Sequence, residues 1–446
     1  MRGTIKQYIE NKSVLILGFG REGKSTYEMF QKVGGYESLA IADKNPISYE
    51  LSENVKVITG EDYQKTLDDY DIVIKSPGIV LEQPLSYYTC KIASQTELFF
   101  DRFKNQIIGI TGTKGKSTTT TLLYHILKEA KKPCVLAGNI GIPAFDVAEE
   151  IGEDTIICFE MSSHQLEYMT VSPKYAVLMN IHEEHLDHYG TMAKYVAAKE
   201  NIYRNQLPED TLVCNAKILP KEGTCKSQVI SIDYAWENEN ADIQIGESYI
   251  KYQGEVYEIP VEEISLIGVH NYYDIGVAYV YAKKFGVSKE AFTKGLKTYE
   301  TLPHRLQFIG RVDGVKYYDD SISTICDTTI QALSSLKDTD TVLIGGMDRG
   351  IDYGELIAYL GSHPVPHIIL MEATGKRIYE EIQAGYPDFE RKERIALVNH
   401  LEDGVALAKK LTQKDRSCVL SPAAASYGIF KNFEERGEVF AKLVRN

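Results

Sequence analysis

Short apolar runs alternate with amphipathic stretches along the whole chain, and turn residues mark most of the boundaries. Ser13–Gly18 has the pattern of a strand buried on both faces, followed by Phe19-Gly-Arg-Glu-Gly23 and a helix over Lys24–Val33. A second apolar strand ends at Asp43, twenty residues past Gly23, and a third, Asp71–Lys75, turns at Ser76-Pro-Gly78. The first domain is expected to close near Ala93–Glu97. The pattern then repeats. An apolar run from Ile107 leads into Thr111-Gly-Thr-Lys-Gly-Lys-Ser117, and an amphipathic segment over Thr118–Ala130 follows. Further strands are predicted at Thr155–Glu160 and Tyr175–Met179, a helix at Thr191–Arg204, an antiparallel hairpin within Asp242–Tyr257 and a helix from His270 to Phe285.

A third start lies around Tyr299–Pro303. Here the strand pair Gln307–Val312 and Val315–Tyr318 precedes Asp319–Thr324, which is expected to open a helix through Leu333. Thr341–Ile344, His367–Met371, Ile395–Val398 and Ser417–Leu420 then alternate with amphipathic helices. The predicted fold class is α/β in three domains. These are a Rossmann-like domain over 1–94, a central P-loop-type mononucleotide-binding α/β domain with a small antiparallel part over 95–299, and a doubly wound α/β domain over 300–446.

At 446 residues the chain has room for about three cores of ordinary size. A net charge of −14 argues against a nucleic-acid partner, so an anionic small substrate must be held by local Lys and Arg. The seven cysteines are scattered without CxxC spacing and read as thiols of a reducing compartment. Met1–Lys12 has no apolar core, and no apolar run approaches membrane-spanning length. A cytoplasmic protein without membrane insertion is the expectation.

The chemistry gathers at predicted strand ends. Strand, glycine-rich turn and helix at 107–130 aim backbone N–H groups at one small volume, where Lys116 would meet phosphate and Ser117 a magnesium ion. The full P-loop spacing needs a glycine at position 110, which is Ile110, so the loop is a shortened form. The literal string is instead satisfied by Gly18 through Lys24 and Ser25. There, however, Asp43 ends the next strand, which suits a nucleotide-sugar or dinucleotide reader, and Lys116 is the better ATP residue. Gly138–Pro143 is a turn carrying one amide, Asn139. Glu160 ends an apolar strand and is well placed for Mg²⁺. His182, Glu183, Glu184, His185, Asp187 and His188 form a polar knot. Zinc ligation, a histidine on a magnesium-linked network and a solvated loop are all open there. Lys199, in an Ala-rich helix, would ordinarily reach out to water.

Taken in order, Thr111–Thr120, Gly138–Pro143, Glu160–Leu166, His185–Tyr189 with Lys199, His270-Asn271, Leu302–Arg305, Asp319–Thr324, Gly345–Asp352 and Ser421–Gly437 resemble the motifs of the Mur ligases over the full length. The resemblance implies ATP-dependent amide formation in peptidoglycan synthesis: D-glutamate added to UDP-N-acetylmuramoyl-L-alanine through an acyl phosphate, by a monomer. It implies ATP on Gly112, Thr113, Lys114, Gly115, Lys116, Ser117, Thr118, Asn271, Arg305 and Asp320. Two Mg²⁺ ions are implied on Ser117, Glu160, His185 and Lys199, the last as a carbamate formed with CO₂, with Lys116, Glu160, His185 and Lys199 catalytic. The UDP-sugar would lie on Gly18, Arg21, Glu22, Gly23, Asp43, Lys44, Ser76, Gly78, Asn139 and His185, and the glutamate on Thr324, Arg349, Ser426 and Phe430.

Three positions depart from the family pattern. Ser321-Ile-Ser-Thr-Ile325 stands where members usually have Ser-Lys-Ala-Thr-Asn, Arg349 replaces a lysine, and Lys114 replaces the usual Asn of the phosphate loop. The first two fall where the incoming amino acid is expected, so a sister ligase adding L-glutamate is the alternative. A folate-type substrate is disfavoured by the whole of Ser13–Ala93. A non-catalytic nucleotide-binding regulator is disfavoured because Ser117, Glu160, His185 and Lys199 all stand.

Overall fold

The computed structural model describes residues 1–363, 365–386, 389 and 392–446. Its strands form three sheets. The first contains β1 (Ser13–Leu17), β2 (Ser38–Asp43), β3 (Lys56–Thr59), β4 (Ile72–Lys75) and β5 (Lys91–Ala93), in the order β3-β2-β1-β4-β5. Every pair in it is parallel. The second contains β6 (Ile107–Thr111), β7 (Cys134–Gly138), β8 (Ile156–Glu160), β9 (Tyr175–Leu178), β10 (Thr211–Asn215), β11 (Gln228–Tyr234), β12 (Ile243–Ile245), β13 (Tyr249–Tyr252) and β14 (Glu255–Glu258). Its order is β14-β13-β12-β11-β10-β9-β6-β8-β7. The pairs from β7 through β12 are parallel, and the last two, β12 with β13 and β13 with β14, are antiparallel.

The third sheet contains β15 (Gln307–Val312), β16 (Val315–Asp319), β17 (Thr339–Gly345), β18 (His367–Met371), β19 (Ile395–Val398) and β20 (Ser417–Leu420). Its order is β15-β16-β20-β17-β18-β19, and only the β15–β16 pair is antiparallel. The residues group by their contacts into two compact units, Met1–Pro260 with His270–Tyr299, and Val261–Val269 with Glu300–Asn446. The first unit holds two sheets and the second holds one.

The buried runs explain the parallel pairing. Val14–Leu17, Ile72–Lys75 and Ile107–Thr111 are buried without a break, as strands covered by helices on both faces must be. The helix expected from Lys24 starts three residues earlier, at Arg21, because the turn at Gly18–Gly20 completes sooner than the glycine spacing suggests. The helix after the phosphate loop starts at Lys116 rather than Thr118, directly after Gly115 in the left-handed conformation (φ 83°). Asp319–Thr324 does not open a helix; the helix is Cys326–Ser335. Asp319 accepts the Ser321 N–H and Asp320 accepts the Ser323 hydroxyl, and these local side-chain bonds hold the segment as a loop. Among the described residues no helix is long and apolar enough to cross a membrane.

Close approach at the first strand–helix turn explains one glycine. A Cβ on Gly23 would sit 2.1 Å from the Gly18 carbonyl oxygen, so any side chain there forces the turn off the helix. Gly23→Ala is expected to lower the unfolding free energy by about 2–3 kcal/mol, read as a lower urea midpoint at unchanged slope. An unchanged midpoint would mean that the turn is not held this tightly.

Candidate active site

The order of each sheet decides where loops meet. In the first sheet the chain moves from β1 out to β3 and then back to β4 on the other side of β1, which leaves a crevice outside the carboxyl ends of β1 and β4. The Gly18 loop and the Ser76 loop face each other there, with the Ser76 hydroxyl donating to the Gly18 carbonyl at 2.9 Å. Asp43 accepts the Phe19 N–H at 2.7 Å through one oxygen and the Asn45 N–H through the other, so it shapes the glycine loop. Lys44 pairs with Glu61 at the surface. Arg21 reaches the Gly141 carbonyl at 3.4 Å, which brings the first glycine loop beside the Asn139 turn. Glu22 accepts a bond from Gln165 at 2.8 Å through one oxygen, while burial raises its pKa. The remaining expected sugar residue on this edge, Gly78, is exposed.

The last two residues of the literal phosphate-loop string in this edge, Lys24 and Ser25, have protein partners. Ser25 is buried and its hydroxyl donates to Asp146 at 2.6 Å, while the Lys24 ammonium lies over the Tyr49 ring.

In the second sheet, β6 lies between β9 and β8, and the phosphate loop leaves its carboxyl end. Glycine is required twice here. A Cβ on Gly112 would stand 2.9 Å from that of Met179, and one on Gly115 would stand 2.7 Å from a carboxylate oxygen of Asp274. Asn180, just beyond β9, holds the loop from below. Its Oδ1 accepts the N–H groups of Thr113 (3.0 Å) and Lys114 (2.8 Å), and its Nδ2 donates to the Lys114 carbonyl. The helix that follows has no side-chain cap at Gly115, so its first N–H groups, from Lys116, Ser117 and Thr118, are turned to the loop's open side. That arrangement suits an anion.

Four side chains converge on this loop. Lys199 is 1% exposed, contrary to the expectation that such a lysine reaches water, and its ammonium donates to the Gly112 carbonyl at 2.8 Å. Burial and the neighbouring Lys116 charge push its pKa well below the ordinary ammonium range. Lys116 folds back onto the Thr113 carbonyl at 3.0 Å. Tyr195, fully buried, shares a hydrogen bond with the Thr113 hydroxyl at 3.0 Å and offers its ring to Lys199 at 4.9 Å and to His185 at 6.2 Å. Glu160 is 1% exposed at the end of β8, directly across from Ile110. One of its oxygens accepts from Asn139 at 2.7 Å, and the other is buried with no hydrogen-bond partner among the described residues. A buried carboxylate oxygen left over beside a phosphate loop fits a hard divalent cation.

The polar knot is resolved into parts. His188 pairs with Glu167 at 2.9 Å, and the His164 ring packs on both His188 and His185. Burial and these two neighbouring imidazoles push the His164 pKa down to about 4. His185 takes a left-handed conformation (φ 57°) that leaves its side chain 44% exposed, 3.7 Å from Glu184. Lys114 also approaches Glu184, at 3.9 Å. Among the described residues no three His, Cys, Asp or Glu side chains cluster as a metal site, which removes support from the zinc reading. Of the four residues expected to hold magnesium, Lys199 and His185 both border the Tyr195 ring, Ser117 lies in the first turn of the helix Lys116–Glu129, and Glu160 ends β8. Asn271 lies in the helix Val269–Lys284, whose Asp274 abuts Gly115.

The second unit has its own cluster, at the neighbouring ends of β16, β20 and β17. Asp320 is buried and accepts from Ser323, Ser421 and the Leu306 N–H. Burial raises its pKa to about 6, so it is mostly ionised at neutral pH. Arg305 stands close enough to oppose that shift, and its buried Nε has no hydrogen-bond partner among the described residues. Arg349 donates to the Thr324 carbonyl at 2.8 Å, which joins two of the expected glutamate residues. Met347 and Ala425 form an isolated bridge that lays the Arg349 loop beside the Ser426 loop, and the Phe430 N–H donates to the Ser426 carbonyl.

Two residues without an assigned role in the sequence reading prove structural to these sites. Asn180 could have been noticed as an amide directly after an apolar strand. Arg436, 1% exposed, donates to Ser321, Ala424 and Ala425 and so ties together two of the three loops of the second unit. Nothing in its helical surroundings marks it, since it reads as one more charge in Phe433–Arg445.

Comparison with known proteins shows the family. Residues 110–282 match the family model of the Mur ligase middle domain. The chain is 32% identical over 460 residues to a UDP-N-acetylmuramoylalanine–D-glutamate ligase of Geobacillus kaustophilus (strain HTA426), covering 98% of each chain. It is 33% identical over 455 residues to the enzyme of that name from Bacillus cereus (strain G9842), covering 99% of each. Among solved structures, MurF ligase from Thermotoga maritima in complex with ADP aligns at TM-score 0.60 and 17% identity, over 99% of this chain and 96% of that one. UDP-N-acetylmuramate–alanine ligase MurC from the same organism aligns at 0.58 and 16%, over 97% and 99%.

If Asn180 shapes the phosphate loop, Asn180→Ala should weaken binding of a non-hydrolysable ATP analogue about tenfold, the worth of one or two hydrogen bonds. Calorimetric titration reads this directly, and an unchanged Kd would show that the loop holds its form without the amide.

Proposed function

The chain belongs to the Mur ligases, in the UDP-N-acetylmuramoylalanine–D-glutamate ligase family, and from that premise we infer that it joins D-glutamate to UDP-N-acetylmuramoyl-L-alanine at the expense of ATP. The observation that carries the reading is that Lys116 and Lys199 both bond carbonyls of the loop Gly112–Ser117, with Glu160 ending the neighbouring strand across from Ile110. A carboxylate is a poor electrophile, and phosphorylation gives it a leaving group. A carboxylate oxygen of the alanyl end attacks the γ-phosphorus, the bond from that phosphorus to the β-bridging oxygen breaks, and ADP leaves. The glutamate amine, having lost a proton, then attacks the acyl carbon, and inorganic phosphate departs with the electron pair of the broken C–O bond. No side chain has to form a covalent bond, so the protein's contribution is position and charge.

The division of labour follows the sheets. The crevice of the first sheet, within 1–94, takes the UDP end on Gly18, Arg21, Glu22, Gly23, Asp43, Lys44, Ser76 and Gly78, with Asn139 and His185 facing the sugar from the central domain, 95–299. That central domain holds the triphosphate on Gly112 through Thr118 with Asn271. The C-terminal domain, 300–446, supplies Arg305 and Asp320 to the nucleotide and Thr324, Arg349, Ser426 and Phe430 to the glutamate. Magnesium, when bound, draws phosphate oxygens together and neutralises their charge; Ser117 and Glu160 would hold one ion, and His185 with Lys199 a second.

Lys199 suits that task only if it changes sign. Burial and the Lys116 charge lower the Lys199 pKa and so favour its neutral amine, which is the form that adds to CO₂. The product is a carbamate with release of one proton. That puts a negatively charged oxygen donor, attracted to Lys116, where an ammonium would be repelled by it. Lys199→Ala is therefore expected to reduce turnover by at least about 100-fold, a loss beyond that of an outer-shell change, without rescue by bicarbonate. Activity near that of the unchanged chain would end the carbamate assignment.

A second reading, L-glutamate as the amino acid, rests on Ile322 and Ile325, which replace a Lys and an Asn of the family pattern, and on Arg349 in place of Lys. An arginine can fork onto a carboxylate, with a different reach from lysine. Phosphate release with ATP and UDP-N-acetylmuramoyl-L-alanine, offering each glutamate enantiomer separately, decides between the two. Turnover with D-glutamate is expected. Turnover with L-glutamate alone would transfer the assignment to the sister reaction, and turnover with neither would overturn both.

A further inference from the structure

The chain has one tryptophan, Trp236, and it is 54% exposed. An indole in water is unusual enough to ask what it is for. It sits just past the carboxyl end of β11, in a turn closed by the N–H groups of Glu237 and Asn238 donating to the Tyr234 carbonyl. One face of the indole is stacked on Tyr234, with ring centroids 4.9 Å apart and planes 12° from parallel. Tyr234 in turn leans on Tyr273 of the helix Val269–Lys284, which is buried and anchored by its hydroxyl to the Met179 carbonyl. The platform is therefore fixed from behind.

Its position relative to the phosphate loop is set by the sheet. β11 is three strands from β6 in the order β11-β10-β9-β6, all parallel, so their carboxyl ends share one edge. Three inter-strand spacings amount to roughly 14 Å, which an extended nucleoside triphosphate spans. The space between is bordered by one helix turn. Asp274 touches Gly115 of the loop and lies close enough to Tyr234 to raise the phenol's pKa, and Asn271, one turn earlier, is on the same helical face.

We propose that Trp236, backed by Tyr234, is the stacking surface for the purine base of the triphosphate whose phosphates lie on Gly112–Ser117. The inference rests on the ATP reading above and adds to it a binding residue that none of the family motifs contains. Stacking on an indole is tolerant of base identity, so Trp236 contributes affinity, and the amide of Asn271 is left to tell adenine from guanine.

Because Trp236 is the single tryptophan, the intact protein reports on itself. Titration with Mg²⁺ and β,γ-imido-ATP should change its fluorescence, whereas tripolyphosphate, which has the phosphates without the base, should bind and leave the emission unchanged. Trp236→Ala should raise the KM for ATP about tenfold, the scale of one lost base stack, with kcat and the inhibition constant of tripolyphosphate unmoved. Trp236→Phe should recover most of the loss. Equal fluorescence changes with both ligands, or an unmoved KM in the alanine variant, would overturn the proposal. Calorimetric binding of β,γ-imido-ATP without any change at Trp236 would overturn it while leaving the ligase reading intact. Absence of nucleotide binding altogether would remove both.

Discussion

Two lysines of like charge point at the same glycine-rich loop, and one of them is inside the protein. Lys199 has 1% of its surface exposed and a carbonyl oxygen as its hydrogen-bond partner. Lys116 sits near enough to repel it. An arrangement of this kind is unfavourable in isolation, since burial and a neighbouring cation both disfavour the ammonium. On the proposed function, a triphosphate on the loop and a carbamate at the interior amine would make it favourable. The orphaned oxygen of Glu160 is the complementary feature on the next strand, a buried anion short of a partner until a cation is present. Both are costs that substrate and magnesium would relieve under the proposed function, which is how a binding site can be preorganised for its ligands.

The sheets put these groups where they are. Parallel strands buried on both faces end at one edge, and the reversal of strand order opens a crevice there. Each of the three sheets provides one: Gly18 facing Ser76, the phosphate loop beside Asn180, and Asp320 beside Ser421 and the Arg349 loop. The loops need glycine or a short polar side chain because backbones approach closely at these turns. Gly112 and Gly115 are pressed by Met179 and Asp274, and a larger residue at either would displace the surface that meets phosphate.

The sheets and their strand ends were largely legible from the sequence. Runs such as Val14–Leu17 and Ile107–Ile110 admit few other readings, and Glu160 and Asp43 stand where strands end. What the pattern could not give was burial of single polar residues. Lys199 belongs to an ordinary amphipathic helix by sequence, and its inward direction depends on Tyr195 one turn earlier filling the space beside it. Asn180 and Arg436 act through the backbone of distant segments, which periodicity does not encode. Asp319–Thr324 departs from the expected helix start for a related reason: short side chains there bond to their own neighbours in preference to starting a helix. Between the two phosphate-loop strings, the contacts of Ser25 with Asp146 and of Lys24 with a tyrosine ring support the one at Gly112–Ser117.

The central claim is that the nucleotide's phosphates sit on Gly112–Ser117. A crystal structure with Mg²⁺ and a non-hydrolysable ATP analogue tests it most directly. The phosphates should be found against the N–H groups at the start of the helix Lys116–Glu129, with Ser117 and Glu160 on the metal. Phosphates resting on Gly18–Ser25 instead would contradict the account.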